Sequence, residues 1–112
     1  MLNSSPALYD FINWEFEIDF VRSEALKLVK DLGLTGLFDK SDLVHIKNKL
    51  SQTVTTVKDF ENIIKQSIGL MYELFNENEF DLIENSVENC FDRIILLYRY
   101  SMHVIKKFSK IL

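Results

Sequence analysis

Seven apolar residues, Phe11, Trp14, Ile18, Val21, Ala25, Leu28 and Leu32, recur at alternating spacings of three and four. That spacing returns each side chain to one face of a helix with 3.6 residues per turn. It constrains the chain more than any other feature, because a competing pattern lies inside it. From Trp14 to Phe20 apolar and acidic residues alternate strictly, which in isolation reads as a half-buried strand. The strand accounts for residues 14–20 alone, whereas the helix accounts for residues 8–32. The seam therefore predicts one long helix, opened by Ser5-Pro6 and closed by Gly33, a residue free to adopt the left-handed conformation. A break near Asp19 or Ser23 would divide it into two shorter helices.

Composition points the same way. A sandwich or barrel needs turn residues about every 8–12 positions. This chain has 3 glycines and 1 proline in 112 residues. The hydrophobic fraction of 47% is enough for one core, and one domain over residues 1–112 is expected. The single cysteine excludes an internal disulfide and a cysteine-based zinc site. Cys90, set among Val87, Phe91 and Ile94, reads as a small core hydrophobe. Residues 1–6 carry no basic region followed by an apolar stretch, so no secretory signal is expected. The longest apolar run, Ile94 to Tyr98, is too short to cross a membrane. A cytoplasmic protein is the expectation.

The rest of the chain continues in helices. Residues 34–40, with Gly36, form the clearest loop, and Leu37 and Phe38 are expected to fold back onto the core. Asp39 or Ser41 can cap the next helix, which turns Leu43, Ile46, Leu50 and Val54 or Val57 to one side and His45 and Lys49 to the other. Thr55 and Thr56, followed by Asp59, resemble a capping box. Val57, Phe60, Ile64, Ile68, Met71 and Phe75 then make a stripe at helical spacing, and Gly69 within it would admit a close neighbouring helix. Residues 76–79 mark a turn. Phe80 and Ile83 lead into a last helix with a possible kink at Asn85-Ser86. Its expected inner face is Val87, Phe91, Ile94, Ile95, Tyr98, Met102, Ile105 and Leu112, widened by Cys90, Leu97, Val104, Phe108 and Ile111. The fold class expected is all-α, a single-domain antiparallel bundle of four to five helices.

The formal net charge of −4 conceals a segregation. Residues 1–20 hold four acids and no base, residues 73–92 seven acids and no base, and residues 93–112 five bases and no acid. Acids at helix starts and bases at helix ends complement the helix dipole, which accounts for part of this. The other reading is an acidic surface that faces a basic partner.

Catalytic and metal-binding patterns are sparse. His103-Val104-Ile105-Lys106 resembles the His-x-x-Lys core of histidine phosphotransfer domains, which are helical bundles. Those domains place a small residue after the lysine, and Lys107 stands there in this chain. Arg99 and His103 resemble the Arg-x4–6-His motif of HEPN-type ribonucleases, with a gap one residue too short. His45 and His103 are the only histidines, and no metal-ligand spacing or glycine-rich phosphate loop is present. Residues 50–65 could form a helix-turn-helix, but the turn lacks its usual glycine and the chain is acidic. No cofactor and no enzymatic activity are expected.

The leading expectation is a protein-interaction module: a small acidic inhibitor or immunity-type protein that neutralises a basic partner such as a nuclease toxin. Its candidate partner-binding residues are Glu15, Phe16, Glu17, Asp19, Phe20, Glu77, Glu79, Asp81, Glu84 and Glu88. With Trp14 and Ile18 inward, Phe16 and Phe20 turn to the opposite side. There they either feed a second core layer or form an exposed aromatic patch ringed by carboxylates. A second expectation is a nucleic-acid-binding or RNA-processing bundle that uses Arg93, Arg99, His103, Lys106, Lys107 and Lys110. A third is a subunit of a larger assembly, a homodimer included.

Overall fold

The computed structural model describes residues 6–77 and 85–109, and side chains for residues 13–77 and 89–109. Four helices follow in order: α1 (Pro6–Thr35), α2 (Lys40–Leu50), α3 (Val57–Glu77) and α4 (Asn85–Phe108). No strand occurs among the described residues. The alternating stretch at residues 14–20 is helical, and α1 runs through Asp19 and Ser23 without a break. Ser5, Phe80 and Ile83 lie outside the described residues, as do the side chains of Phe11 and Val87. Asn85 and Ser86 stand at the edge of the described residues, where the described part of α4 begins.

Helix ends follow local chemistry, with one shift from expectation. α1 continues past Gly33 to Thr35, and Gly36 takes the left-handed turn with φ of 70°. Thr35 supports the two extra residues: its Oγ1 donates to the Leu32 carbonyl at 2.6 Å and satisfies an end-of-helix acceptor. Gly33 stays helical where a Cβ would lie 3.6 Å from Leu43. Asp39 caps α2 and accepts from the Ser41 backbone N–H at 2.8 Å. Thr56 caps α3: its Oγ1 accepts from the Asp59 N–H at 3.0 Å, while Thr55 donates to the Asp59 carboxylate at 2.8 Å. Hydrogen bonds to Ser41, and to Thr55 and Thr56, hold the Asp39 and Asp59 carboxyls below the usual carboxylate pKa.

The core is a continuous cluster drawn from all four helices. α1 packs against α4 and α2, and α3 packs against the same two, so the helices close into a ring around one compact domain. The seam of α1 is inward as expected, with Trp14, Ile18, Val21, Ala25, Leu28 and Leu32 all buried. So is the α3 stripe from Val57 to Phe75. Contacts between α1 and α4 are met in reverse order along the two helices: Trp14 with Phe108, Glu17 with Lys107, Phe20 with Tyr100, Asp31 with Arg93.

α4 corrects the sequence reading. Its fully inward residues are Cys90, Ile94, Leu97, Ser101, Val104 and Phe108, spaced 4,3,4,3,4. Phe91, Ile95, Tyr98, Met102 and Ile105, expected at the centre of the inner face, are only half-buried. Ser101 is the reason. As a polar residue it breaks the apolar pattern, yet it is fully buried because its Oγ donates to the Leu97 carbonyl at 2.7 Å. Cys90 is buried, and burial raises its thiol pKa, so it is a core residue with little thiolate.

Two smaller expectations also change. Phe38 folds back and stacks on Phe75 at 5.8 Å, but Leu37 stays exposed. Gly69 admits no close helix: the nearest atom to a Cβ there would be the Ile64 carbonyl oxygen, 4.0 Å away. It borders a shallow groove with Tyr72 and Tyr98 instead. Gly69→Ala is therefore expected to stabilise the protein by about 1 kcal/mol, because helix propensity rises and nothing is displaced. Urea titration followed by circular dichroism would read this, and a loss of stability would show that a neighbour does occupy the space.

Candidate functional site: a ridge between two clefts

The site is built by the turn angle of α1. Each residue rotates about 100° around the helix, so residues two on from a seam position face away from it. Trp14 is buried at 2% exposure, and Phe16 is 70% exposed. Phe20, one turn further, is 46% exposed and sets its ring against Tyr100 of α4 at 5.5 Å, edge to face. The exposed-patch alternative therefore describes both rings better than a second core layer. Glu15 and Asp19 flank Phe16 and are exposed.

Two clefts open along α1 near Phe16, which itself lines neither. One cleft, about 450 Å³, lies between α1 and the α2–α3 loop, with Trp14, Glu15, Ile18 and Asp19 facing Ser51, Thr53 and Thr55. Its cation, Arg22, is held by the Gln52 carbonyl at 2.7 Å, against two carboxylates on the rim. The other cleft, also about 450 Å³, is apolar and lies between α1 and α4. Leu28 and Leu97 form its floor, Phe20, Leu96 and Tyr100 its walls. Its two charges are compensated locally: Glu24 pairs with Lys27 at 3.1 Å and Arg93 with Asp31 at 2.6 Å. Leu96, 63% exposed, was not among the expected site residues, and neither was Tyr100. An apolar residue outside the α4 seam was the one available signal for Leu96.

The other expected residues separate. Glu17 does not face a partner: it is largely buried against α4, where its Oε1 accepts from Lys107 Nζ at 3.3 Å. Burial of the Tyr100 ring itself, and then the nearby Glu17 charge, raise the Tyr100 phenol pKa. Glu77 is exposed, but at the far end of the bundle. Trp14 touches Phe60 of α3, and Glu77 lies 17 residues beyond Phe60, or about 25 Å along the helix. Glu79, Asp81 and Glu84 lie outside the described residues, as does the side chain of Glu88. Because Arg93 meets Asp31, the start of α4 also lies at the end of α1 away from Phe16. Among the described residues, Glu77 and Asp92 thus do not share a surface with Glu15 and Asp19.

The basic face of α4 is partly spent on the fold. Arg93 and Lys107 are in ion pairs with α1, and Lys107 also lies over the Phe108 ring at 5.1 Å. Arg99, His103 and Lys106 remain exposed, and Lys110 lies outside the described residues. Among the described residues no group of three or more His, Cys, Asp or Glu could hold a metal ion, and no helix is long and apolar enough to cross a membrane.

Compared with protein-family models, with curated proteins and with solved structures, the chain has no match.

Proposed function

We propose that this protein is a protein-interaction module of the inhibitor type, which binds a basic partner through the N-terminal half of α1. The observation that carries this reading is Phe16, 70% exposed on a long helix whose preceding seam residue is fully packed. Covering a ring this exposed would remove apolar surface from water, which favours association. Its neighbours Glu15 and Asp19 set the chemistry of that cover. They line a cleft of about 450 Å³ that would receive a lysine or arginine side chain, while Phe16 offers an apolar contact beside it. Neutralisation of a basic protein, such as a nuclease toxin in the cytoplasm, is the role that suits this arrangement. The reversed order of the α1–α4 contacts supports an antiparallel bundle as the frame that holds the ridge straight. The nucleic-acid reading has less support, because two of its six basic residues are already paired with acids of α1.

The test is retention of basic proteins from native lysate by the wild type, by Glu15→Lys/Asp19→Lys and by Phe16→Ala. A basic protein held by the wild type and weakened about tenfold or more by either variant is the expected result. Retention that is equal in all three, or absent from the wild type, would refute the reading.

A further inference from the structure

We propose that the outer face of the α1–α4 layer pairs with the same face of a second copy of the chain, about a two-fold axis near Ser23 and Leu96. This goes beyond the basic-partner reading, because the face in question is not acidic. Its centre is apolar and uncovered: Leu96 is 63% exposed and opens directly onto the groove walled by Phe20 and Tyr100.

The charges around that centre form a quadrupole. On α1, Asp19 stands four residues before Ser23 and Lys27 four after it. On α4, Asp92 stands four residues before Leu96 and Arg99 three after it. All four charged residues are exposed. The reversed order of the contacts puts Leu96 opposite the Glu24–Leu28 turn of α1, within about one turn of Ser23, and Glu24 and Leu96 line the same groove. The negative start of the α1 strip therefore lies beside the positive end of the α4 strip. The positive end of the α1 strip lies beside the negative start of the α4 strip.

A quadrupole of this kind is complementary to itself. A two-fold axis across the helices turns each helix end for end onto its copy, so Asp19 faces Lys27 and Asp92 faces Arg99, each pair occurring twice. A two-fold axis along the helices sets α1 on α4 of the second copy, so Asp19 faces Arg99 and Lys27 faces Asp92. Both place opposite charges together around Leu96, whereas a uniformly basic partner would meet Lys27 and Arg99 as like charges. The second copy is thus the occupant whose charges fit.

Sedimentation equilibrium of the full chain, from micromolar to millimolar concentration at low salt, tests this. The wild type is expected to dimerise. Leu96→Lys, at an exposed position where folding is not at stake, should weaken the dimer about a hundredfold. Asp19→Lys should weaken it about tenfold, because two attractive pairs become repulsive. Asp19→Lys/Lys27→Asp restores it if the helices pair end for end, and Asp19→Lys/Arg99→Asp restores it if they pair side by side. Rescue by either supports the proposal. A wild type monomeric throughout, a dimer indifferent to Leu96→Lys, or rescue by neither double variant overturns it. Leu96→Lys leaves Glu15 and Phe16 untouched, so loss of self-pairing and loss of partner binding are read separately.

Discussion

Trp14→Ala is expected to lower the unfolding free energy by about 3–5 kcal/mol, one of the two largest effects of any single truncation considered in this chain. Trp14 is 2% exposed and joins three helices. Its ring meets Phe60 of α3 edge-on at 5.5 Å and Phe108 of α4 at the same distance, tilted by 59°. Removal takes away the transfer free energy of the indole and leaves a cavity that three separate helices would have to close together. The backbone immediately after it carries Glu15 and Phe16, so partner binding should weaken with stability. Urea unfolding followed by circular dichroism at 222 nm is the measurement, since the chain has no other tryptophan to report by fluorescence. A change below about 1 kcal/mol would mean that the corner is not packed as described. Trp14→Phe, which keeps a ring, should cost clearly less.

Phe75→Ala should cost a similar amount, about 3–5 kcal/mol, at the other end of the molecule. Phe75 lies face to face with Phe91 of α4 at 4.9 Å, their planes within 8°, and stacks on Phe38 of the α1–α2 loop at 5.8 Å. It is 1% exposed and links the loop to both C-terminal helices. Phe60, which touches Trp14, precedes Phe75 by 15 residues, or about 22 Å of helix. Effects at sites that far apart should add to within about 0.5 kcal/mol. The milder pair Trp14→Phe and Phe75→Leu allows that sum to be measured in a chain that still folds. Clear non-additivity would show that the two ends of the bundle are coupled through the helices between them.

Parts of the candidate site were legible in the sequence and parts were not. The outward aim of Phe16 and Phe20 follows from the Trp14–Ile18–Val21 seam, because helical rotation fixes where a residue two positions on must point. The separation of Glu17 from Glu15 and Asp19 does not follow. All three are acids within five residues, and only the position of α4 decides that Glu17 meets Lys107 while the other two meet water. Leu96 and Tyr100 were missed for the same reason: a groove between helices belongs to neither sequence. Gly33 and Gly36 could each have ended α1, and a single threonine hydroxyl settled the choice.

What the sequence alone determined is periodic and local. The 3,4 spacing set α1 and α3 and their inner faces, and the threonine and aspartate caps set where α2 and α3 begin, because these depend on the chain within a few residues of itself. What only the tertiary structure decided is pairwise and distant. The inner face of α4 shifted to include Ser101, since a serine that bonds its own helix can be buried where packing calls for a small side chain. Among the described acids of residues 73–92, Glu77 and Asp92 lie at the end of the bundle away from Phe16 and do not join Glu15 and Asp19, since that placement is set by how α1, α3 and α4 pack. A charge count along the chain suggested one acidic surface. The packing of α1 against α4 left a smaller one, Glu15 and Asp19 beside an exposed ring.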